Sequence, residues 1–322
     1  MNVFIKTILL SILGMTILTK QATAQTFTQK VGVPAYFYPG SEWDRMDDGV
    51  PTVGFAIANP ASGPGTSYNN DYGQQIITAQ NNGLAIIGYV YTSYMNRNID
   101  LIKQDIDKYF DWYGANGIFL DEVSTDCSLS DDYASLMSYI RAKEYLSHSV
   151  GGTVPQPLTV LNHGTQTNEC YVNSGDILVT YEGAYSSYSA WSPQAWHLNY
   201  SPNKFMHLVY NTSSNNLSSA INMSKNNGAG WIYMTPDVLP NPWDTLPSEP
   251  YWGNLLTAAN TSSTRTIHDW VVQNDTTNMT YSYHFEGTQT WKRVYIDTDH
   301  STSTGFLTGG IGADRLIENG WM

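Results

Sequence analysis

The sequence predicts an α/β chain: a (β/α)8 TIM-type barrel followed by a short all-β segment. Three observations carry this reading. Apolar runs and amphipathic stretches alternate eight times beyond the N-terminal leader. The eight units occupy about 230 residues, the usual span of such a barrel. From about Asn260 the helical period disappears and alternating segments between polar turns take its place.

The strand candidates are residues 33–38, 53–58, 85–91, 118–121, 158–162, 177–182, 205–210 and 230–234. Apolar recurrence at three and four residues marks helices over 71–81, 99–113, 131–146, 214–226 and 251–259, each with one face to bury. Asn81-Asn82-Gly83, Gly114-Ala115-Asn116-Gly117 and Asn226-Asn227-Gly228 read as helix stops. Two connections are irregular: the one after Asn162 is short and polar, and the one after Glu182 is rich in Tyr, Ser and Trp. Local patterning does not close a sheet, so a doubly wound open sheet competes with the barrel. In the tail, 280–285, 291–297 and 315–317 read as antiparallel strands. Such a unit needs partners for its edges, and this one is expected to be part of a longer domain.

The domain reading is therefore a leader over 1–24, a barrel over 25–259 and a β-rich segment over 260–322. Lys6, an apolar stretch over 8–18 too short to span a bilayer, and Ala22-Thr23-Ala24 form a secretory signal. Export to the medium, periplasm or cell surface is expected, with no integral membrane segment after cleavage. The net charge of −13 argues against a nucleic-acid partner and suits a cationic polymer. Cys127 and Cys170 each follow a strand, and an oxidising compartment makes a bridge between two loops of one rim the favoured outcome, against two free thiols. Neither has a close His or Cys partner, so no metal and no cofactor are expected. The Asp297-Thr298-Asp299 turn reads as a solvated turn in preference to a calcium site.

The strand ends carry the chemistry. Gly117-Ile118-Phe119-Leu120-Asp121-Glu122 is an apolar strand delivering two acids, and 176–183 repeats the pattern with Glu182. Acids at the carboxyl ends of barrel strands open onto the face where this architecture keeps its active sites. Neighbouring strand residues point to opposite sides. If Asp121 enters the mouth, Glu122 faces the loops and Glu182 can face Asp121. Tyr36, Tyr38, Asn59, Tyr89, Tyr91, Asn162, His163, Tyr210 and Tyr233 also fall at strand ends, an aromatic and amide lining suited to sugar rings. His163 reads either as a proton shuttle or as a wall residue. A carboxylate pair is the usual equipment for glycoside hydrolysis, one acid protonating the leaving oxygen and the other attacking or activating water.

Five ordered motifs add a resemblance: Pro34-Ala35-Tyr36-Phe37-Tyr38-Pro39, Ile57-Ala58-Asn59-Pro60 with Ser62-Gly63-Pro64-Gly65, Ile87-Gly88-Tyr89-Val90-Tyr91-Thr92, 117–122, and Thr180-Tyr181-Glu182-Gly183. Together, over residues 31–258, they resemble the spherulin-4 family, which is similar to the endo-α-1,4-polygalactosaminidases and includes (β/α)8 glycoside hydrolases acting on galactosaminogalactan. The resemblance implies an acidic trio: Asp121 as nucleophile, Glu182 as general acid/base and Glu122 in support. Asn162-His163-Gly164 departs from the expected Asn-Pro-Gly. The expected substrate is an α-linked polysaccharide containing galactosamine or N-acetylgalactosamine. A non-catalytic polysaccharide-binding wall or matrix protein on the same barrel is the rival reading, and the missing ligand cluster disfavours a metal-dependent deacetylase.

Overall fold

The computed structural model describes residues 27–143 and 156–263 with their side chains, those of 198 and 199 excepted, and beyond them only the backbone of strands at either end. The leader over 1–24, apart from residues 18, 19 and the strand pairing given below, and the 297–299 turn lie outside the described residues.

Eight parallel strands close into a barrel in chain order: β1 (Lys30–Ala35), β2 (Val53–Ala58), β3 (Ala85–Tyr91), β4 (Gly117–Asp121), β5 (Leu158–Asn162), β6 (Ile177–Ala184), β7 (Phe205–Tyr210) and β8 (Trp231–Met234). The seam is a short parallel pairing, Trp231 with Lys30 and Ile232 with Val31. Closure rules out the open sheet, and it leaves no exposed edge. The first strand lies three residues earlier than the apolar run suggests. Lys30 and Val31 are needed to make the seam, whereas Tyr36 beyond the strand donates its N–H to the Trp243 carbonyl at 3.2 Å.

Helices α1 (Ser41–Asp47), α2 (Asn70–Asn81), α3 (Ile99–Tyr113), α4 (Ser130–Arg141), α5 (Tyr185–Tyr188), α6 (Ser214–Asn226) and α7 (Tyr251–Asn260) cover the sheet. The sequence missed α1 and α5, which are too short to display a period. The two irregular connections are irregular in the structure as well: β5 is followed by a single turn at Glu169–Tyr171 and β6 by the one-turn α5. Helix α3 shows how local chemistry sets an element. Asn98 caps it by accepting the Asp100 N–H at 2.8 Å, Ile102, Ile106, Tyr109, Phe110 and Tyr113 form its buried face, and Gly114 ends it at φ 59°.

Residues 1–27 and 262–322 form a second unit by themselves. Its described strands all pair antiparallel, as the alternation beyond residue 260 predicts: Leu18–Thr19 with Ile267–Asn274, that strand with Met279–Phe285, Gln25–Phe27 with Ser263–Arg265, Arg293–Ile296 with Arg315–Glu318, and Phe306–Thr308 with Ile311–Ala313. The Cys127–Cys170 disulfide is present, with Cα atoms 5.7 Å apart, and ties the loop after β4 to the loop after β5.

His197 is 3% exposed, stacked on Phe205 with centroids 4.5 Å apart, and neither ring nitrogen has a hydrogen-bond partner among the described residues. Burial lowers its pKa to about 3. The unfolded chain, with an ordinary value near 6.5, binds a proton that the folded chain refuses, so stability is lost as pH falls from about 6.5 towards 3. His197→Phe removes that linkage. Relative to the wild type, the variant should gain about 1.4 kcal/mol per pH unit below 6. Urea melts of both proteins at pH 7, 6, 5 and 4 check this, and parallel curves would refute it.

Candidate active site

The site is built by strand alternation. In β4, Phe119 points into the barrel and stacks on Tyr89 of β3, with centroids 6.2 Å apart, so Asp121 two residues on points the same way into the mouth. In β6 the register against β7 slips between Val179 and Tyr181. This bulge turns Tyr181 outward onto Tyr188 and Trp191 and leaves Glu182 facing Asp121.

One amide connects the two acids. The Asn162 Nδ2 donates to Asp121 Oδ1 at 2.8 Å and to Glu182 Oε2 at 2.7 Å. The Asn162 Oδ1 accepts the Gly164 N–H at 3.0 Å, which assigns the amide orientation. Asp121 takes a further hydrogen bond on Oδ2 from the Tyr89 hydroxyl at 2.7 Å. Burial raises the pKa of both carboxyl groups; the Glu122 charge adds to the rise at Asp121, and the Asp121 charge to the rise at Glu182. Asp121 is relieved by three donors, from Tyr89, Asn162 and the Glu122 backbone; Glu182 has Asn162 and Trp243. More donors favour the ionised form. Asp121 thus has one more donor for its ionised form than Glu182.

Glu122 lies apart from this pair. It adopts φ 51°, its Oε2 accepts a hydrogen bond from the Ser93 Oγ at 3.2 Å, and its carbonyl accepts from Thr92 Oγ1 and the Tyr94 N–H. It orders the loop after β3, in agreement with alternation, which sends it away from the mouth.

Of the other candidates, Tyr36 stands edge-on to Tyr89 at 5.6 Å, and burial with the nearby Asp121 keeps its phenol protonated. Tyr210 approaches across Trp243, with centroids 6.1 Å apart. Tyr38 is 58% exposed at the rim and donates to Asp71, Tyr91 lies under the Arg97 guanidinium, and Asn59 accepts the Gly63 N–H inside its own turn. Three candidates are held by other partners. Asn162 has both amide hydrogens on the acids, and its Oδ1 accepts the Gly164 N–H with one lone pair to spare. His163 is 4% exposed and packs edge-on against Tyr171, because Asn162 faces inward and its neighbour must face the outer layer; burial lowers its pKa to about 3, so it is a neutral wall residue. Tyr233 is wholly buried beneath Trp243 and is a core side chain.

Trp243 escaped the sequence reading. It sits in the long loop after β8, far from any strand end, and only folding brings it beside Glu182, Tyr210 and Tyr233. It is the single aromatic residue of a proline-rich loop over 235–250, which gave no periodic signal. Among the described residues, no group of three His, Cys, Asp or Glu side chains could hold a metal ion, and no helix is long and apolar enough to cross a membrane.

A family model described as spherulation-specific family 4 matches residues 30–259. A curated relative, spherulin-4 of Physarum polycephalum, is 33% identical over 218 residues, which cover 64% of this chain and 63% of the relative. The chain thus spans just under two thirds of that protein's length. Among solved structures, Aspergillus clavatus Sph3 in complex with GalNAc superposes with a TM-score of 0.63 at 21% identity, over 73% of this chain and 98% of that one. This second likeness is one of fold.

The coupling through Asn162 is measurable. Asp121→Asn removes the like charge and should lower the Glu182 pKa towards the ordinary glutamate range; Asn162→Ala removes a donor from both carboxylates and should raise both. Carboxyl 13C shifts of labelled protein across a pH titration read these directions, and a Glu182 pKa unmoved by Asp121→Asn would show the two acids to be independent.

Proposed function

The chain belongs to the spherulation-specific family 4, and on that premise we propose that it is an endo-acting glycoside hydrolase cleaving α-linked galactosamine or N-acetylgalactosamine units within a polysaccharide. The observation that carries the proposal is the pair of half-buried carboxylates held on one amide nitrogen at the mouth of the barrel. A pair with the opposite demands of proton donor and anion is what glycosidic cleavage requires.

The spacing favours retention of configuration. Two oxygens bonded to the same nitrogen at 2.8 and 2.7 Å cannot be farther apart than those bonds laid end to end. That closeness of the facing oxygens supports the roughly 5–5.5 Å carboxyl separation of double-displacement enzymes over the roughly 6.5–9.5 Å that leaves room for an inverting water. In the first step the Asp121 carboxylate forms a bond to the anomeric carbon as the glycosidic C–O bond breaks, and Glu182 gives its proton to the departing oxygen. In the second, Glu182, now ionised, takes a proton from water, whose oxygen displaces Asp121. Tyr89 and Asn162 hold Asp121 in line throughout. Tyr36, Tyr210 and Trp243 offer aromatic surface for sugar C–H faces.

The N-terminal leader and the disulfide support work outside the cytosol, at the cell surface or in the medium. A net charge of −13 suits a partly deacetylated, cationic chain.

The test is product analysis by mass spectrometry after incubation with galactosaminogalactan and with deacetylated polygalactosamine. The wild type should release oligosaccharides, and Glu182→Gln or Asp121→Asn should release them at least about 10²-fold more slowly while still binding the polymer. Binding without release by any of the three proteins would replace the hydrolase with a polysaccharide-binding protein of the wall or matrix.

A further inference from the structure

A second feature of the rim lies outside the acid pair. The loop after β2 and the start of α2 enclose an open cavity of about 370 Å3 whose lining includes Pro60, Pro64, Ser67, Tyr68, Asn70 and Asp71. This is at the small end of the roughly 300–1,000 Å3 of small-molecule sites.

Its walls are fixed before any ligand arrives. The Asn59 Oδ1 accepts the Gly63 N–H at 2.8 Å, and the Lys108 ammonium donates to the Gly65 carbonyl at 3.3 Å. The Tyr113 hydroxyl ties both sides together, accepting the Asn69 N–H at 3.0 Å and donating to the Pro64 carbonyl at 3.4 Å. Tyr68 stacks one ring face on Tyr113, with centroids 5.4 Å apart and planes 26° from parallel, yet is 44% exposed. The exposed part of the ring is the surface left for a ligand.

Gly73 makes this pose possible. A Cβ there would come within 1.8 Å of the Tyr68 hydroxyl. Glycine inside a helix costs about 1 kcal/mol relative to alanine, and at this position the missing methyl lets the hydroxyl end of the Tyr68 ring close onto the first turn of α2.

The wall also carries charge. The Asp71 carboxylate is exposed, accepts the Tyr38 hydroxyl at 2.7 Å, and pairs with no cation among the described residues. Tyr38 follows β1, so the same hydrogen bond joins the cavity to the barrel mouth.

We propose that this cavity is a distal subsite that holds one free-amine hexosamine unit of the polymer, its ring stacked on Tyr68 and its ammonium paired with Asp71. The inference rests on the polysaccharide reading given above. It assigns the cavity a preference that the acid pair does not carry: a deacetylated unit at a distance from the bond being cut.

The experiment uses the full chain carrying Asp121→Asn, so that polymer stays intact, and measures binding of deacetylated polygalactosamine and of its N-acetylated counterpart by calorimetry. Adding Tyr68→Ala should weaken both about 3- to 10-fold. Tyr68→Phe should leave binding unchanged. Gly73→Ala should match Tyr68→Ala, because it displaces the ring while improving the helix. Asp71→Asn should weaken only the deacetylated polymer and reduce the salt dependence of its binding. If the parent binds tightly and Tyr68→Ala and Gly73→Ala bind like it, the subsite is refuted and the hydrolase reading stands. If the parent binds neither polymer, both are refuted.

Discussion

The structure at the barrel mouth depends on a donor shared between two half-buried acids. Two carboxyl groups partly withdrawn from water and set face to face repel each other, and desolvation of each charge adds to the cost. The Asn162 amide spans both, and each hydrogen bond to a charged oxygen returns about 1.5–3 kcal/mol. What remains uncompensated shows as raised pKa values at both carboxyl groups.

The barrel holds this arrangement because its strands cannot slide. Asp121, Asn162 and Glu182 stand on three successive strands, and a one-residue slip in any of them would turn its side chain into the outer layer. The bulge in β6 is such a slip made permanent, with Tyr181 packed outward among Tyr188, Trp191 and His207 to hold it there.

Around the acids the backbone is held away from its preferred conformations. Ser93, Tyr94 and Met95 have φ of 50°, 57° and 68°, and Glu122 has 51°. Each non-glycine residue in the left-handed region costs about 1–2 kcal/mol, and such residues persist only where neighbours over-determine them. Here the neighbours are Thr92, whose hydroxyl donates to the Asp121 and Glu122 carbonyls, and Ser93, which donates to the Glu122 side chain. The third acid thus fastens the loop beside the pair.

How much of this was legible follows from the range of the forces involved. Alternation and 3.6-residue periodicity are local, so the eight strands, the long helices and the inward aim of Asp121 could be read from the chain, as could the departure of Glu122 from the mouth. Helix α1 was lost because seven residues hold barely two turns. Burial is a property of the whole fold, so a histidine and a tyrosine at strand ends looked available when packing against Tyr171 and Trp243 had closed them off. By itself the sequence determined which residues stand at the strand ends and that two of them are acids on alternate strands. The tertiary structure alone decided that Asn162 lies between those acids, that Trp243 comes across some 60 residues to Glu182, and that Tyr68 keeps part of its ring exposed, because each of these is a distance between segments that no local pattern encodes.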